Sequence, residues 1–423
     1  KGEIIIGIFT VLWRKDKQMT KRILHIGVGN FFRAHMADYT QIEGNWSILG
    51  VSLRSAAIRD GLSKQNYDYT LSVPGAADKR ITVLESVLVA PENKLSVITA
   101  VADAETHIVS LTVTEKGYTL TSDNLLDLNN LEILEDLKTD QPKTAIGFLA
   151  YGLVRRKTPL TVLSCDNLSH NGDILSRAVR DFAEAAELEI DWTKVSFPNS
   201  MVDRITPAAT HDLMDATGDI MAVATEPFSE WVIEDRFVGP RPNWANVQFV
   251  EDVSPHEQRK LRMLNGAHSF LAYAGILAGY EFVHQAVSDA ELRLQAHGLM
   301  REAAQTLQGV TEEEREVYAS ALLKRFKNPD LKHRLRQIAM DGSLKIPHRW
   351  CDSIRELSAN RKAGPYLKLA LIRWTEFCVE EVAQKSDLQD PQAEKINAAV
   401  RSQNPYESLL ELVGLEASVL DNV

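Results

Sequence analysis

The first 250 residues of the chain alternate between two kinds of segment. Short apolar runs predict buried strands, and they lie at residues 22–28, 46–53, 80–90, 107–114 and 160–165. The segments between them predict helices, most clearly at residues 142–155 and 173–187. Strands that alternate with helices indicate βαβ units and therefore an α/β fold with a parallel sheet.

The pattern changes near residue 250. From Ser254 onward strand-like runs almost vanish and helical periodicity dominates, with helices predicted at residues 292–308, 311–326, 331–340 and 364–382. Because 423 residues are too many for one ordinary core, this change predicts a boundary between two domains close to residue 252. Residues 1–18 precede the first strand and are interpreted as an N-terminal extension outside the fold.

The second half opens with a long apolar segment, residues 261–282, that predicts a buried helix. Ser254 is the expected N-cap, with Glu257 three residues later as the partner in a capping box. On an ideal helix Asn265 and His268 lie about 140° and about 80° around the axis from Lys260, so the three side chains can share one hemisphere. The structural alternative is that Lys260 reaches solvent and His268 is a satisfied core histidine. These residues alone favour that alternative.

A glycine turn follows the first predicted strand. Gly27, Val28, Gly29, Asn30 and Phe31 lead into a helix that carries Arg33. Such a turn brings backbone N–H groups to the pyrophosphate of a dinucleotide, at the positive end of the helix. The signal is incomplete, since Phe32 replaces the third glycine of the fingerprint. A strand–turn–helix without a ligand remains an alternative for this segment.

The end of the second predicted strand bears on the choice of cofactor. An acidic residue that binds the ribose hydroxyls is expected there, but Arg54 and Ser55 occupy the position. An arginine suits the 2′-phosphate of NADP, so the residues alone leave NAD and NADP open.

Together these patterns predict an N-terminal Rossmann-like dinucleotide-binding domain over residues 19–252, followed by a mostly α-helical substrate domain over residues 253–423.

Further polar residues follow predicted strands or interrupt helices. Ligands of open α/β sheets bind at the carboxyl ends of strands, and the candidates there are Thr114, Glu115, Asn167 and Asn171. Two polar loops add Asp203 and Lys345. The structural alternatives are a surface pair between Asp203 and Arg204 and a solvated Lys345.

Composition excludes several classes of function. A net charge of −11 disfavours binding to nucleic acid or to an acidic membrane surface, and no apolar run is long enough to span a bilayer. The three cysteines form no metal-binding spacing and indicate a reducing compartment, so a cytoplasmic protein is expected.

Five stretches carry a resemblance to a known family. They are the glycine turn with Arg33-Ala-His35, then Thr112–Tyr118, Leu163–Gly172, Pro198–Pro207, and Lys260 with its spacing to Asn265 and His268. In this order they resemble the polyol-specific long-chain dehydrogenases, also called the mannitol dehydrogenase family. The segment from Gln337 to Pro347 is most similar to the fructuronate reductase branch.

The resemblance implies a metal-independent, NAD-dependent oxidoreductase. It implies Lys260 as general acid/base, Asn167 and Asn265 as the amides that polarise the reacting oxygen, His268 as an orienting residue and Asp203 as a carboxylate near the lysine. Lys345 and Asn171 are expected to bind substrate.

The expected substrate is D-mannonate/D-fructuronate, with D-mannitol/D-fructose or tagaturonate reduction as alternatives. A dinucleotide-binding redox sensor without catalysis is the alternative of another class. We expect a monomer or weak homo-oligomer.

Overall fold

The computed structural model describes residues 21–121, 123–386 and 388–422, so the predicted extension 1–18 lies outside the described residues. The strands are β1 (Arg22–Ile26), β2 (Ser47–Ser52), β3 (Tyr69–Ser72), β4 (Lys79–Ile81), β5 (Leu84–Val89), β6 (Thr106–Leu111), β7 (Leu160–Ser164), β8 (Val195–Ser196), β9 (Ser200–Asp203), β10 (Val223–Ala224), β11 (Glu230–Glu234) and β12 (Val247–Val250).

The α-helices are α1 (Asn30–Ala34), α2 (Met36–Glu43), α3 (Ala57–Ser63), α4 (Lys94–Ala102), α5 (Leu131–Asp136), α6 (Ala145–Arg155), α7 (Asn171–Ala185), α8 (His211–Thr217), α9 (Ser254–Arg259), α10 (Gly266–Leu277), α11 (Val283–Ser288), α12 (Ala290–Ala304), α13 (Glu312–Phe326), α14 (Leu335–Ala339), α15 (Gly342–Ile346), α16 (Asp352–Ala359), α17 (Pro365–Ala383), α18 (Ala393–Val400) and α19 (Pro405–Leu412). Lys260–Asn265 and Pro347–Cys351 are π-helical. Short 3₁₀ turns are Glu115–Tyr118, Trp192–Lys194, Pro329–Leu331 and Ala417–Asn422. None of the helices in the described part of the chain has the length and apolar composition of a bilayer span.

The chain forms two compact units. The first comprises the described residues up to Val202 with Ala208–Ala224 and Ile233–Phe249. The second comprises Asp203–Pro207, Thr225–Val232 and the described residues from Val250 onward. Two segments before the predicted boundary at residue 252 therefore belong to the second unit.

A six-stranded parallel sheet organises the first unit, in the order β5-β2-β1-β6-β7-β8. Every residue of β1 is buried, as expected for a central strand of a parallel sheet covered on both faces. The strand order reverses direction at β1, so the crevice between the ends of β1 and β6 is the expected ligand position. The predicted parallel sheet of βαβ units is confirmed.

Two sequence predictions differ from this fold. The strand predicted at residues 80–90 is two strands, β4 and β5, because the chain turns after Ile81 and β4 pairs with β3 in a separate sheet. The polar loop predicted to contain Asp203 instead includes β9, which belongs to a third sheet of order β12-β11-β9. Short strands of this kind give too few residues for a hydrophobic period to be recognised.

The second unit is helical around one apolar core. Phe270 and Tyr273 of α10, Trp350 and Trp374 are at most 1% exposed there. The predicted start of its first helix is wrong. Val253 is the N-cap and Ser254 is the first helical residue, so the Ser254–Glu257 capping box does not form. The predicted continuous helix over residues 261–282 is also interrupted, since a π-helical turn separates α9 from α10, which ends at Leu277.

Candidate active site

A cleft of about 430 Å³ opens at the carboxyl ends of β1, β2 and β6 in the first unit. Gly27 and Gly29 line it after β1, Ser52 to Ser55 after β2, and Thr112 to Thr114 after β6. The amino end of α6 completes one wall with Thr144 and Ala145. The cleft thus occupies the position where an open α/β sheet binds its ligand.

The glycine turn has two glycines with different constraints. Gly27 adopts a φ of +102°, and a Cβ there would lie 2.2 Å from the carbonyl oxygen of Thr112. Gly29 has ordinary backbone geometry, and among the described residues no atom lies within 4 Å of the position its Cβ would take. Gly27 is therefore required by the fold, whereas Gly29 keeps the backbone accessible from the cleft.

A buried histidine supports this turn. The Nε2 atom of His25 lies 2.9 Å from Thr112 Oγ1 and 3.1 Å from the Gly27 carbonyl oxygen, and Nδ1 lies 2.8 Å from Ser110 Oγ. Burial lowers the pKa of His25 to about 3, so its ring is neutral at physiological pH. Its hydrogen bonds hold the end of β1 against the end of β6.

The loop after β6 contains a residue in an unusual conformation. Thr114 has φ of 65° and ψ of 165°, a region that favours glycine. The buried carboxylate of Asp166, which follows β7, accepts hydrogen bonds from the backbone N–H groups of Thr114 (2.8 Å) and Val113 (3.0 Å) and from the Tyr118 hydroxyl (2.8 Å). Asp166 therefore maintains the backbone conformation of this wall of the cleft.

The structure divides the nine predicted cofactor residues into two groups. Those that line the cleft are Gly27, Val28, Gly29, Arg54 and Thr114. Among its described lining residues the cleft does not include Asn30, Phe31, Arg33 or Glu115.

Arg33 is held inside the first unit by hydrogen bonds, and its contact with the cofactor stays a prediction. It is 3% exposed, and it donates hydrogen bonds to the Met221 carbonyl oxygen at 2.5 Å and to Asn30 Oδ1 at 2.6 Å. Phe31 stacks on the ring of His35, with centroids 4.9 Å apart. The helix that was expected to carry these residues also breaks at His35, where α1 ends and α2 begins.

Sequence reasoning missed several residues of the cleft, namely Lys116, Glu132 and Lys143. Glu132 lies in the first turn of α5, and its two carboxylate oxygens accept hydrogen bonds from Arg54 at 3.1 and 3.3 Å. No spacing or periodicity in the sequence links a residue of α5 to the end of β2. One signal for the α6 side of the cleft was present in the sequence. Thr144 is a favoured N-cap residue type, and its hydroxyl caps α6, whose amino end lies at the cleft.

In the second unit Lys260 begins the π-helical turn that precedes α10. This turn packs against the second π-helical segment. Arg349 Nη1 donates to the carbonyl oxygen of Asn265 at 3.2 Å and to Ser269 Oγ at 2.7 Å, and Trp350 Nε1 donates to the Gly266 carbonyl oxygen at 3.1 Å. The wider helical turn displaces carbonyl groups from the α-helical pattern, and single π-turns are frequent at functional sites.

Burial lowers the pKa of the Lys260 ammonium below its ordinary 10.5. The attraction of the Asp203 and Glu257 carboxylates opposes this shift, while repulsion by the Arg349 and Arg325 guanidinium groups adds to it. Desolvation is the largest of these influences and sets the direction of the shift. The shift brings the ammonium closer to the pH at which a lysine can both give and accept a proton.

His268 lies within α10, about two turns after Lys260, and is 7% exposed. Burial lowers its pKa well below 6.5, helped by the nearby His333 and by the positive charges of Arg325 and Arg349. Its ring lies 4.3 Å from that of Phe326. Within the described residues its Nε2 atom has no hydrogen-bond partner. His268 is thus neutral with one ring nitrogen unsatisfied, which does not match the alternative of a satisfied core histidine.

Asp203 lies in a buried charge cluster and not in the surface pair with Arg204 that was the alternative. Arg325 donates to both carboxylate oxygens of Asp203 at 2.9 and 3.0 Å, and it reaches Glu226 at 2.7 Å. The three side chains are 8% exposed or less. One guanidinium thus bridges two buried carboxylates, an arrangement that is stable only when all members are paired.

The structure separates the roles of the two asparagines after β7. Asn167 is exposed, directly after Asp166. Asn171 is completely buried, and its Nδ2 donates to the carbonyl oxygens of Ser200 (2.8 Å) and Asp166 (3.0 Å) while its Oδ1 accepts from the Ser200 N–H (2.9 Å). Asn171 therefore joins the end of β7 to β9 in this structure, and its substrate contact stays a prediction.

Lys345 lies in α15 and not in the predicted loop. Its Nζ donates to the carbonyl oxygens of Met340 at 2.5 Å and Ile338 at 3.4 Å, close to the carboxyl end of α14. The side chain is 27% exposed, so the alternative of a fully solvated lysine does not hold. Among the described residues no group of three or more His, Cys, Asp or Glu side chains is placed to hold a metal ion.

Comparison with known proteins identifies the family. The model of the mannitol dehydrogenase Rossmann domain matches residues 21–246, and that of the mannitol dehydrogenase C-terminal domain matches residues 252–422. The chain belongs to the mannitol dehydrogenase family. It is 40% identical to D-mannonate oxidoreductase of Escherichia coli, over 95% of this chain and 90% of that protein. It is 38% identical to mannitol 2-dehydrogenase of Phaeosphaeria nodorum, over 93% and 75% of the two chains.

Two solved structures of dehydrogenases show the same fold over nearly the whole chain. The ternary complex of Pseudomonas fluorescens mannitol 2-dehydrogenase with NAD and D-mannitol superimposes with a TM-score of 0.82 at 34% identity, covering 96% of this chain and 89% of that one. A substrate-free D-sorbitol dehydrogenase gives the same TM-score at 30% identity, covering 95% and 89%.

Membership of the mannitol dehydrogenase family confirms three predictions: the family itself, the Rossmann-like fold with a helical second part, and an oxidoreductase acting on CH–OH groups. The relatives differ in their named substrates, so membership by itself does not choose between a sugar acid and a polyol.

Proposed function

We propose that this mannitol dehydrogenase family member is a metal-independent, NAD-dependent oxidoreductase that interconverts D-mannonate and D-fructuronate. The observation that carries the chemistry is the environment of Lys260: a half-buried lysine on a π-helical turn whose pKa is lowered by desolvation, followed on α10 by a neutral His268. A lysine in this state can accept the proton of a secondary alcohol or return one to a ketone.

The first-unit cleft fits a dinucleotide. The accessible backbone at Gly29 and the positive φ of Gly27 let phosphate oxygens approach N–H groups, and the amino end of α6 adds favourable dipoles. NAD, when bound, supplies the two-electron acceptor for alcohol oxidation, and NADH the donor for carbonyl reduction. The relative that was solved with NAD and D-mannitol supports the choice of NAD.

The protein side chains then act on the substrate oxygen. The family resemblance assigns to Asn167 and Asn265 the donation of amide hydrogens to that oxygen as negative charge develops on it during reduction. The Lys260 ammonium delivers the proton that completes the alcohol. The unsatisfied Nε2 of His268 accepts a hydrogen bond from a substrate hydroxyl or from the lysine, which orients the reacting groups. The charge of Asp203 counteracts the loss of the ammonium form.

A sugar-acid substrate is favoured by the 40% identity to D-mannonate oxidoreductase. The carboxylate of a sugar acid requires a cation, and the second unit supplies two candidates. One is Lys345, and the other is Arg349, which lies within electrostatic range of Lys260. D-Mannitol/D-fructose is the second candidate, because mannitol 2-dehydrogenases are nearly as similar in sequence. Tagaturonate reduction is a third.

The test is NADH oxidation with D-fructuronate, D-tagaturonate and D-fructose, each at several concentrations, to obtain kcat/KM. The proposal expects the highest kcat/KM for fructuronate. Fructose turnover equal to or above that for fructuronate would transfer the assignment to mannitol 2-dehydrogenase.

No turnover of any of the three compounds, with NADH still bound, would favour a dinucleotide-binding redox sensor. A lysine whose pKa is lowered by burial is unnecessary in such a sensor, which is why catalysis is preferred. A cytoplasmic location and a monomer or weak homo-oligomer are parts of the proposal; the three free, buried cysteines suit a reducing compartment.

A further inference from the structure

The cofactor cleft is lined by a carboxylate, Glu132, although no acidic residue stands at the usual position after β2. Rossmann-like domains that select NAD carry an acidic residue at the end of the second strand, which binds the ribose hydroxyls. Here β2 ends with Ser52 and leads to Arg54 and Ser55. Glu132 of α5, 78 residues from Arg54 in sequence, lines the same cleft.

The position of Glu132 is defined by its helix. Asn130 is the N-cap of α5, and its side chain accepts hydrogen bonds from the backbone N–H groups of Glu132 at 2.9 Å and Ile133 at 3.4 Å. Ile133 is fully buried and anchors the first turn in the core of the first unit. The carboxylate therefore projects from a capped and anchored turn.

Arg54 and Glu132 form a forked pair. Nη1 donates to Oε1 at 3.1 Å and Nη2 to Oε2 at 3.3 Å, with the side chains 78% and 40% exposed. Such an exposed pair contributes little to stability. The pair matters more for ligand binding than for stability. The Glu132 carboxylate neutralises the charge of Arg54 and occupies the N–H groups with which an arginine would bind a phosphate.

We propose that Glu132 is the specificity-determining residue for the adenosine ribose, in place of the missing acidic residue after β2. Its carboxylate oxygens retain lone pairs that accept hydrogen bonds from the 2′- and 3′-hydroxyl groups of NAD. The same negative charge repels the 2′-phosphate of NADP and keeps Arg54 from pairing with it. This inference rests on the proposed dinucleotide-dependent function.

The experiment compares the wild type with Glu132→Gln, with Glu132→Gln/Arg54→Ala, and with Glu92→Gln as matched control. Glu92 forms the same kind of exposed forked pair, with Arg59 at 2.6 and 2.8 Å, and among the described residues that line the cleft neither partner is found. Dissociation constants for NADH and NADPH are measured by fluorescence titration, and kcat/KM for both with the best substrate of the panel.

We expect Glu132→Gln to shift the NADPH-to-NADH ratio toward NADPH by roughly ten- to a hundredfold, the range of one hydrogen bond to a charged group. The added Arg54→Ala change should reverse most of that shift, and Glu92→Gln should cause none. A Glu132→Gln protein that binds NADH but has the wild-type ratio would overturn the role of Glu132. Failure of the wild type to bind either dinucleotide would instead reject the proposed function, and with it this inference.

Discussion

Replacement of Lys260 by alanine tests the proposed chemistry most directly. General acid–base catalysis by one positioned group contributes about 10²- to 10⁴-fold, so kcat should fall by at least about a hundredfold. NADH binding should persist, because the cofactor cleft belongs to the first unit and Lys260 to the second. Stopped-flow measurement of NADH oxidation, with a parallel fluorescence titration of NADH, separates the two properties.

The pH dependence follows from the direction of the lysine pKa. Lysine is an ammonium below its pKa and neutral above it, and burial moves this midpoint below 10.5. Alcohol oxidation requires the neutral amine, so its rate should rise with pH and reach a plateau. Carbonyl reduction requires the ammonium, so its rate should fall above the same midpoint. Both dependences should disappear in the alanine variant.

Two controls make the test specific. Lys324→Ala removes an exposed lysine from α13 of the same unit and should leave kcat within about a factor of two. Small primary amines added to Lys260→Ala should restore part of the activity, since they can occupy the vacated space. A folded, NADH-binding Lys260→Ala protein that keeps more than about a tenth of the wild-type kcat, with an unchanged pH profile, would refute the acid–base role.

Three further predictions concern the cofactor, the substrate and the fold. Gly29→Val should weaken NADH binding by about tenfold or more in titrations while circular dichroism stays native, whereas Gly27→Ala should disrupt folding because its Cβ would meet the Thr112 backbone. Lys345→Ala should reduce kcat/KM for fructuronate far more than for fructose. An equal loss for both substrates would mean that Lys345 has only a structural role, at the carboxyl end of α14. Arg325→Met should lower the free energy of unfolding by about 3–5 kcal/mol in urea titrations, since it removes the cation that two buried carboxylates share. Arg334→Met, which breaks the exposed pair with Glu281, should lower the free energy of unfolding by less than about 1 kcal/mol. Similar losses of stability in the two variants would contradict the expectation that the buried arginine matters more.

Local patterns in the sequence were sufficient for much of the fold. Apolar runs predicted the central strands β1, β2, β6 and β7, because a parallel sheet covered on both faces needs continuous hydrophobic residues. The glycine turn predicted the cleft, since a left-handed φ at Gly27 is a local requirement that only a few residue types meet. The spacing from Lys260 to His268, with the other stretches of the family, predicted which residues to consider for chemistry.

Other features depend on contacts between residues far apart in the chain. Asp203 meets Arg325 across 122 residues, and Arg54 meets Glu132 across 78, distances that no periodicity spans. The π-helical turn at Lys260 is stabilised by Arg349 and its neighbour Trp350, which donate to carbonyl groups that an α-helix would use internally. Asn171 illustrates the same limit: its residue type suits a ligand contact or a buried bridge equally, and only the tertiary structure shows that it is buried and bonded to Ser200. Hydrophobic period and turn chemistry are local properties, whereas desolvation and charge pairing depend on what the folded chain places around each group.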